Sequence, residues 1–217
     1  MMLSNKNILL SLSDVSFSFP NVKIFEHISL SVYHDEIIGI CGENGKGKTT
    51  LFRIMMDELM PNTGIIEKQR DVKIVELAQN DREAAAGSIL TVEEFLCMHV
   101  ITHNLAKNRR QALQYLEPLF QKYRILDIKK RQLKHLSGGQ LQRVMLMKAV
   151  LLKCDILLLD EPLTALDEHM QKQVLSFIKE LKDEGITTIL ILHDLQILKS
   201  LCDRVFEVKN YQLKELL

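Results

Sequence analysis

Nine consecutive residues, Gly42-Glu43-Asn44-Gly45-Lys46-Gly47-Lys48-Thr49-Thr50, carry the densest chemical signal in the chain. They fit G-x-x-x-x-G-K-[ST], a phosphate-binding loop whose glycines let backbone N–H groups turn inward around phosphate oxygens. In that pattern Lys48 reaches the β- and γ-phosphates and the Thr49 hydroxyl holds Mg²⁺. Farther on, the apolar run Asp155–Leu159 ends in Asp160-Glu161. Adjacent carboxylates at the end of a buried strand are costly to leave uncompensated, and the Mg²⁺ of a bound nucleotide would compensate them. Asp160 would bind that metal, directly or through water, leaving Glu161 to accept a proton from an attacking water. Leu136-Ser137-Gly138-Gly139-Gln140 precedes a long helical run, with Ser137 as its N-cap. The bare backbone of the two glycines offers either a second phosphate site or an ordinary glycine-containing cap. His193 closes another apolar run, where a histidine serves catalysis or structure.

Each of these groups needs an element to hold it. Ile37–Cys41 reads as a buried strand entering the loop, and Leu51–Met56 as the first turns of a helix leaving it. Residues 8–33 alternate as strands on either side of a Pro20-Asn21 turn, which predicts an antiparallel sheet. Phe19, just before that turn, either stacks on an adenine ring or packs into the core. After a turn at Pro61–Gly64, Val72–Leu77 reads as a strand ending in the polar cluster Gln79-Asn80-Asp81. Such clusters at strand ends hold ligand groups in open α/β sheets, and are also simply where loops occur.

Residues 90–135 change to helical periodicity, opened by the capping box Thr91-Val92-Glu93-Glu94 and continued over about 108–123. Ser137 then starts the helix Leu141–Leu152. Ile156–Leu159, without polar alternation, reads as a parallel strand covered on both faces. Asp167 caps the next helix, which stops at Gly185. Thr187–Leu192 is a further buried strand, followed by a helix over 194–202 and a short strand at Arg204–Val208. The tail Tyr211–Leu217 shows no pattern. The expected fold is α/β: a mostly parallel core sheet, an N-terminal antiparallel β-subdomain and an inserted helical subdomain. One domain would span 1–217, with about 1–88 and 155–217 as core and about 89–154 as the helical part.

Composition narrows the function classes. The 28 basic and 28 acidic residues among 217 cancel, so no excess charge favours nucleic acid or an anionic membrane surface. A hydrophobic content of 47% is ample for a core. No run reaches the roughly 18 apolar residues of a spanning helix, and Met1–Asn7 does not read as a secretory leader. The scattered cysteines Cys41, Cys97, Cys154 and Cys202 form no C-x-x-C pair; they are expected to be free, mostly buried thiols in a reducing cytosol. Of seven histidines only His99 and His103 stand at i, i+4, either as a metal-binding pair or as a solvated one.

In this order the motifs resemble the ATPase subunit of an ATP-binding cassette (ABC) transporter, from about Phe17 to about Asn210. The phosphate loop, Leu136–Gln140 as the family signature and Ile156–Pro162 as the Walker B strand are the strongest pieces. Gln79 resembles the Q-loop glutamine, Asp167 the D-loop aspartate, His193 the switch histidine, and Phe19 the aromatic A-loop position, usually tyrosine. Lys46 departs from the small residue common there. Leu163, Thr164 and Ala78 are lesser departures, and none removes a group the chemistry needs.

The resemblance implies a P-loop NTPase core that binds ATP and Mg²⁺. The nucleotide would be held by Phe19, Asn44, Gly45, Lys46, Gly47, Lys48, Thr49 and Thr50. Thr49, Gln79 and Asp160 would serve the metal; Glu161, His193, Lys48 and Gln79 would serve hydrolysis. It further implies a head-to-tail dimer in which Ser137, Gly138, Gly139, Gln140 and Asp167 of one cassette meet the ATP bound by the other. Closure of that dimer would drive transmembrane permease subunits from the cytoplasmic face of the membrane, with a substrate-binding protein if the system is an importer. Leu90–Leu96 and the segment from His193 to Val205 resemble zinc and manganese importer ATPases. Exporters and lipid-trafficking ATPases share similar phrases and stay open. Cassettes acting on ribosomes carry two in tandem, whereas this chain has one loop and one signature. Related DNA-repair ATPases insert a long coiled coil where under a hundred residues stand here, so no nucleic-acid partner is expected.

Overall fold

A computed structural model describes residues 8–217, apart from the side chains of Gln79 and Asn80. In chain order come β1 (Ile8–Phe19), β2 (Val22–Tyr33), β3 (Ile37–Gly42), α1 (Lys48–Met55), β4 (Thr63–Lys68) and β5 (Ile74–Leu77). Four helices follow: α2 (Gln79–Ala86), α3 (Val92–Thr102), α4 (Arg109–Lys122) and α5 (Gly138–Leu152). The chain then runs through β6 (Ile156–Asp160), α6 (Glu168–Asp183), β7 (Thr187–Ile191), α7 (Leu195–Leu201), β8 (Arg204–Lys209) and β9 (Gln212–Glu215). The residues fall into two compact units. One holds the chain up to Glu76 with Asp155–Glu161 and Lys179–Leu217; the other holds Leu77–Cys154 and Pro162–Ile178.

The first unit contains an antiparallel sheet in the order β2-β1-β4. Pro20 presets φ for the β1–β2 turn and Asn21 takes the left-handed position, at φ 64°. Leu10, Leu12, Val15 and Phe17 of β1 are buried against Phe25, Ile28, Leu30 and Val32 of β2. Pro61–Gly64, expected to be a turn, is not one throughout, because Thr63 and Gly64 already belong to β4. Gly64 is needed for close approach instead: a Cβ there would lie 2.5 Å from the Asp14 carbonyl oxygen of β1, at φ 92°.

The core sheet has the order β5-β6-β7-β3-β8-β9. β6, β7, β3 and β8 pair in parallel, and β9 returns antiparallel to β8. Ile37–Cys41 and Thr187–Ile191 are buried throughout, as expected of parallel strands covered on both faces. Leu51, Phe52, Ile54 and Met55 of α1 join the same apolar core as both sheets. The tail is a strand after all: its sequence Gln-Leu-Lys-Glu half-buries only Leu213, so an edge strand of this length shows no readable alternation. All four cysteines are buried and free.

The second unit is helical. Thr91 and Glu94 form the full capping box of α3, and Asn108 caps α4 through the Gln111 N–H. Val92, Leu96 and Val100 pack with Ala112, Leu116 and Phe120 and with the buried face of α5. The polar cluster Gln79-Asn80-Asp81, where either ligand groups or a loop were expected, opens α2 as its first turn. Its polar surface leaves no apolar stripe, and Ala78 caps it without a side-chain hydrogen bond, so neither helix signal is present. No helix among the described residues is long and apolar enough to cross a membrane.

Candidate functional site

The phosphate loop sits where β3 ends and α1 begins. Gly47, at φ 103°, is the N-cap of α1 and supplies no capping side chain. The first-turn amides of a helix have no carbonyl partner within it, so this start presents unclaimed N–H donors and the positive end of the helix dipole. Gly47 is fixed doubly, since a Cβ would also fall 2.5 Å from Ile24 Cγ2. Asn44, Gly45 and Lys46 form the exposed crown of the loop, with Thr50 one turn behind. Lys46 Nζ lies 3.5 Å from Glu43 Oε2, which spends part of its charge locally.

Lys48 is buried, and its ammonium donates to the carbonyls of Gly42 at 2.8 Å and Glu43 at 3.0 Å. Burial lowers its pKa, while the carboxylates of Glu161 and Asp160 oppose that shift. The Thr49 hydroxyl donates to Asp160 Oδ2 at 2.8 Å, so the loop and the end of β6 meet at these two oxygens. An alcohol and a carboxylate side by side are the hard oxygen donors Mg²⁺ prefers. A buried ammonium, an uncapped helix start and this oxygen pair together suit ATP with Mg²⁺.

Glu161 follows β6 in the left-handed region, at φ 49°, a conformation that costs a bulky residue about 1–3 kcal/mol and is concentrated at functional sites. Its N–H donates to the Ile191 carbonyl at 3.2 Å, and its Oε1 lies 2.9 Å from His193 Nε2 at the end of β7. Lys48, Thr49, Asp160, Glu161 and His193 therefore converge at the carboxyl ends of neighbouring parallel strands, where ligands sit in open α/β sheets. Phe19 ends β1, 38% exposed, its ring edge-on to Phe17 at 5.0 Å between centroids. Gln79 opens α2, and its side chain lies outside the described residues.

Ser137, Gly138, Gly139 and Gln140 lie in the second unit. Ser137 Oγ accepts the Gln140 N–H at 3.3 Å, and Gln140 Oε1 accepts the Ser137 N–H at 3.1 Å. The glycines have a packing reason too: a Cβ on Gly139 would stand 2.9 Å from Met170 Cβ, and one on Gly138 2.9 Å from Leu166 Cδ2. Asp167 caps α6, its Oδ1 accepting the Met170 N–H at 2.8 Å. His99 and His103 do stack, 6.4 Å apart between centroids, with His99 half-buried and His103 exposed. Burial holds the His99 pKa down to about 4, and its Nε2 has no hydrogen-bond partner.

One feature of the loop lies outside the sequence motifs. Gly45 and Lys46 line a cavity of about 260 Å³ with Val22, Lys23, Ile24, Asn210 and Tyr211. The signal available was Asn210-Tyr211 itself, a polar pair in hairpin-turn position after an apolar strand.

The ABC transporter family model matches residues 25–164. The arginine transport ATP-binding protein ArtM of Bacillus subtilis strain 168 is 30% identical over 210 residues, covering 91% of this chain and 86% of that protein. The zinc import ATP-binding protein ZnuC of Hydrogenovibrio crunogenus is 26% identical, covering 91% and 77%. The macrolide export ATP-binding/permease protein MacB of Escherichia coli K12 is 31% identical, covering 94% of this chain and 34% of its own length. Among solved structures, cbiO1 from Clostridium perfringens, part of the ABC transporter complex cbiONQ, superposes with a TM-score of 0.82 at 23% identity, over 95% of this chain and 87% of that one. That likeness establishes the fold, an α/β cassette with an antiparallel β-subdomain and helices. With the family match spanning both the loop and the β6 carboxylates, the chain belongs to the ABC transporter family, as an ATP-binding subunit that hydrolyses ATP to power transport.

Proposed function

We propose that the two units form one cassette, and that this cassette pairs head-to-tail with a second copy to drive a membrane permease. The observation that carries the reading is the convergence of Lys48, Thr49, Asp160, Glu161 and His193 at one end of the core sheet. Asn44 to Thr50 cradle the triphosphate with backbone N–H groups, and Phe19 stacks on the base. Thr49 and Asp160 would hold Mg²⁺, and Gln79 is assigned to the metal by its motif position alone; the ion, when bound, would neutralise charge on the phosphate oxygens. Glu161 accepts the proton of the water that attacks the γ-phosphorus. His193 holds Glu161 in place and contacts the γ-phosphate, and Lys48 stabilises the charge that develops on the transferring oxygens.

A lone loop leaves one side of the γ-phosphate in water. The second cassette's Ser137, Gly138, Gly139 and Gln140, at the N-terminal end of α5, complete its neutralisation and exclude water, with Asp167 at the same junction. Closure on ATP and opening after hydrolysis is the two-state element of the cycle, and Gln79 relays it to the permease. The chain works on the cytoplasmic face of the membrane, with no nucleic-acid partner.

For the cargo, the reading is a zinc or manganese ion brought inward with a substrate-binding protein, supported by the segments Leu90–Leu96 and His193–Val205 and by the zinc-import relative. The arginine-transport and macrolide-export relatives favour a second reading, an amino-acid importer or an exporter. Purification of the tagged chain from gently solubilised membranes, with mass spectrometry, tests the role. A multi-span permease is expected; ribosomes or nucleic acid alone would overturn it. Unchanged zinc and manganese uptake on deletion would overturn the cargo.

A further inference from the structure

Resting on the reading of the phosphate loop as the ATP site, we propose that Tyr211 is a base-recognition residue. Its ring would wall the pocket that holds the nucleoside end of ATP, adding a second aromatic to Phe19. The cavity beside the loop is the first observation. At about 260 Å³ it falls just under the ~300–1,000 Å³ of whole-ligand clefts, which suits a base and its sugar while the phosphates lie along the loop. Its lining has the matching chemistry. Val22 and Ile24 give apolar surface, Tyr211 an aromatic face, and Gly45 and Lys46 continue directly into the phosphate cradle.

The second observation is conformational. Asn210 and Tyr211 are the two residues of the β8–β9 turn, between the paired Lys209 and Gln212, and both have positive φ, 49° and 65°. Such two-residue turns take Asn-Gly or Asp-Gly, because a side chain with a Cβ is strained at the second position. A tyrosine there is an outlier, and core packing does not account for it, since Tyr211 is 50% exposed. Strain of this kind persists where the surroundings hold it and function uses it.

The surroundings do hold it. The Tyr211 carbonyl accepts the Glu26 N–H at 2.9 Å, and the Gln212 side-chain amide donates to the Glu26 carbonyl at 2.7 Å. Lys23 pairs with Glu26 at 2.8 Å and places its ammonium 5.7 Å from the Tyr211 ring centroid, within cation–π range. The backbone of the turn is thus anchored to β2, with the Tyr211 ring at the edge of the cavity beside Lys23. A fixed aromatic face at low entropic cost is what a stacked purine requires.

The test is Tyr211→Gly, which gives the turn its favoured residue, and Tyr211→Phe, which keeps the ring. Binding of ATP and of inorganic triphosphate to the full chain is measured for each, with the melting temperature. Tyr211→Gly should weaken ATP binding about tenfold, leave triphosphate binding unchanged and leave the melting temperature unchanged or higher. Tyr211→Phe should bind ATP as the wild type does. Wild-type ATP affinity in Tyr211→Gly would overturn the proposal, as would an equal loss for ATP and triphosphate, which would mean that the turn shapes the phosphate loop. A wild-type chain that bound neither ligand would instead overturn the ATP-site reading itself.

Discussion

His193 Nε2 lies 2.9 Å from Glu161 Oε1, and the two side chains come from the ends of adjacent parallel strands 32 residues apart. Glu161 holds a left-handed backbone to make this contact, with its N–H on the Ile191 carbonyl. The carboxylate is thereby aimed from outside the strand rather than left to rotate. A general base gains from such fixation because proton transfer requires hydrogen-bond reach.

Glu161→Gln removes the proton acceptor while keeping shape and the hydrogen bond to His193. Hydrolysis should fall by about 10²–10⁴-fold with ATP binding retained. A dimer should accumulate on sizing in ATP and Mg²⁺. Normal turnover would show that Glu161 is not the base.

The Thr49–Asp160 contact predicts a separation of metal and nucleotide effects. Asp160→Asn should raise the Mg²⁺ concentration needed for half-maximal hydrolysis and leave ATP binding in chelator nearly unchanged. Lys48→Ala should weaken ATP binding itself, since it removes the buried ammonium of the loop. Titration calorimetry with and without Mg²⁺ distinguishes the two.

Packing at the α5 start predicts unequal costs for the two signature glycines. In Gly139→Ala the new methyl meets Met170 Cβ and Cγ at 2.9 Å, and the Cβ is fixed by its backbone and cannot swing away. A loss of about 1–3 kcal/mol is expected. In Gly138→Ala it meets the tip of Leu166, which can move, so the cost should be smaller. Thermal unfolding of the two variants measures the difference.

His99 predicts acid sensitivity of the helical unit. Burial, Lys148 and His103 lower its pKa from 6.5 to about 4, against the opposing charge of Asp81. The unfolded chain therefore takes up a proton that the folded chain refuses between these values. The stability this residue contributes is full above about pH 6.5 and is lost as the pH falls toward 4; the shift alone corresponds to about 3 kcal/mol, which solvent screening of the partly exposed ring reduces to the order of 2 kcal/mol. His99→Leu should flatten the fall in melting temperature across that window relative to the wild type. Parallel curves would remove the assignment.

Much of the fold is legible in the chain because its elements carry local signals. β3, β6 and β7 are dominated by apolar residues, and Thr91, Ser137 and Asp194 cap their helices through side chains readable as N-caps. Where the local signal is absent the reading fails. α2 has neither an apolar face nor a capping side chain, and β9 is too short and polar to alternate. β4 takes in the last two residues of a Pro-Asn-Thr-Gly string, whose glycine serves a close approach to Asp14 rather than a turn.

The sequence by itself determined which groups are present: the glycine loop with Lys48 and Thr49, the carboxylates after an apolar run, and the histidine after another. Their types and order suffice because phosphate and Mg²⁺ chemistry accepts few substitutes. Only the tertiary structure decided which of them touch. The parallel pairing of β6, β7 and β3 sets Asp160 against Thr49 and Glu161 against His193, contacts made across 111 and 32 residues of chain. It also brings the strained Tyr211 of the last hairpin to the cavity beside Gly45. Such juxtapositions depend on strand order and register, and these are settled by burial of the whole sheet rather than by any local run of residues.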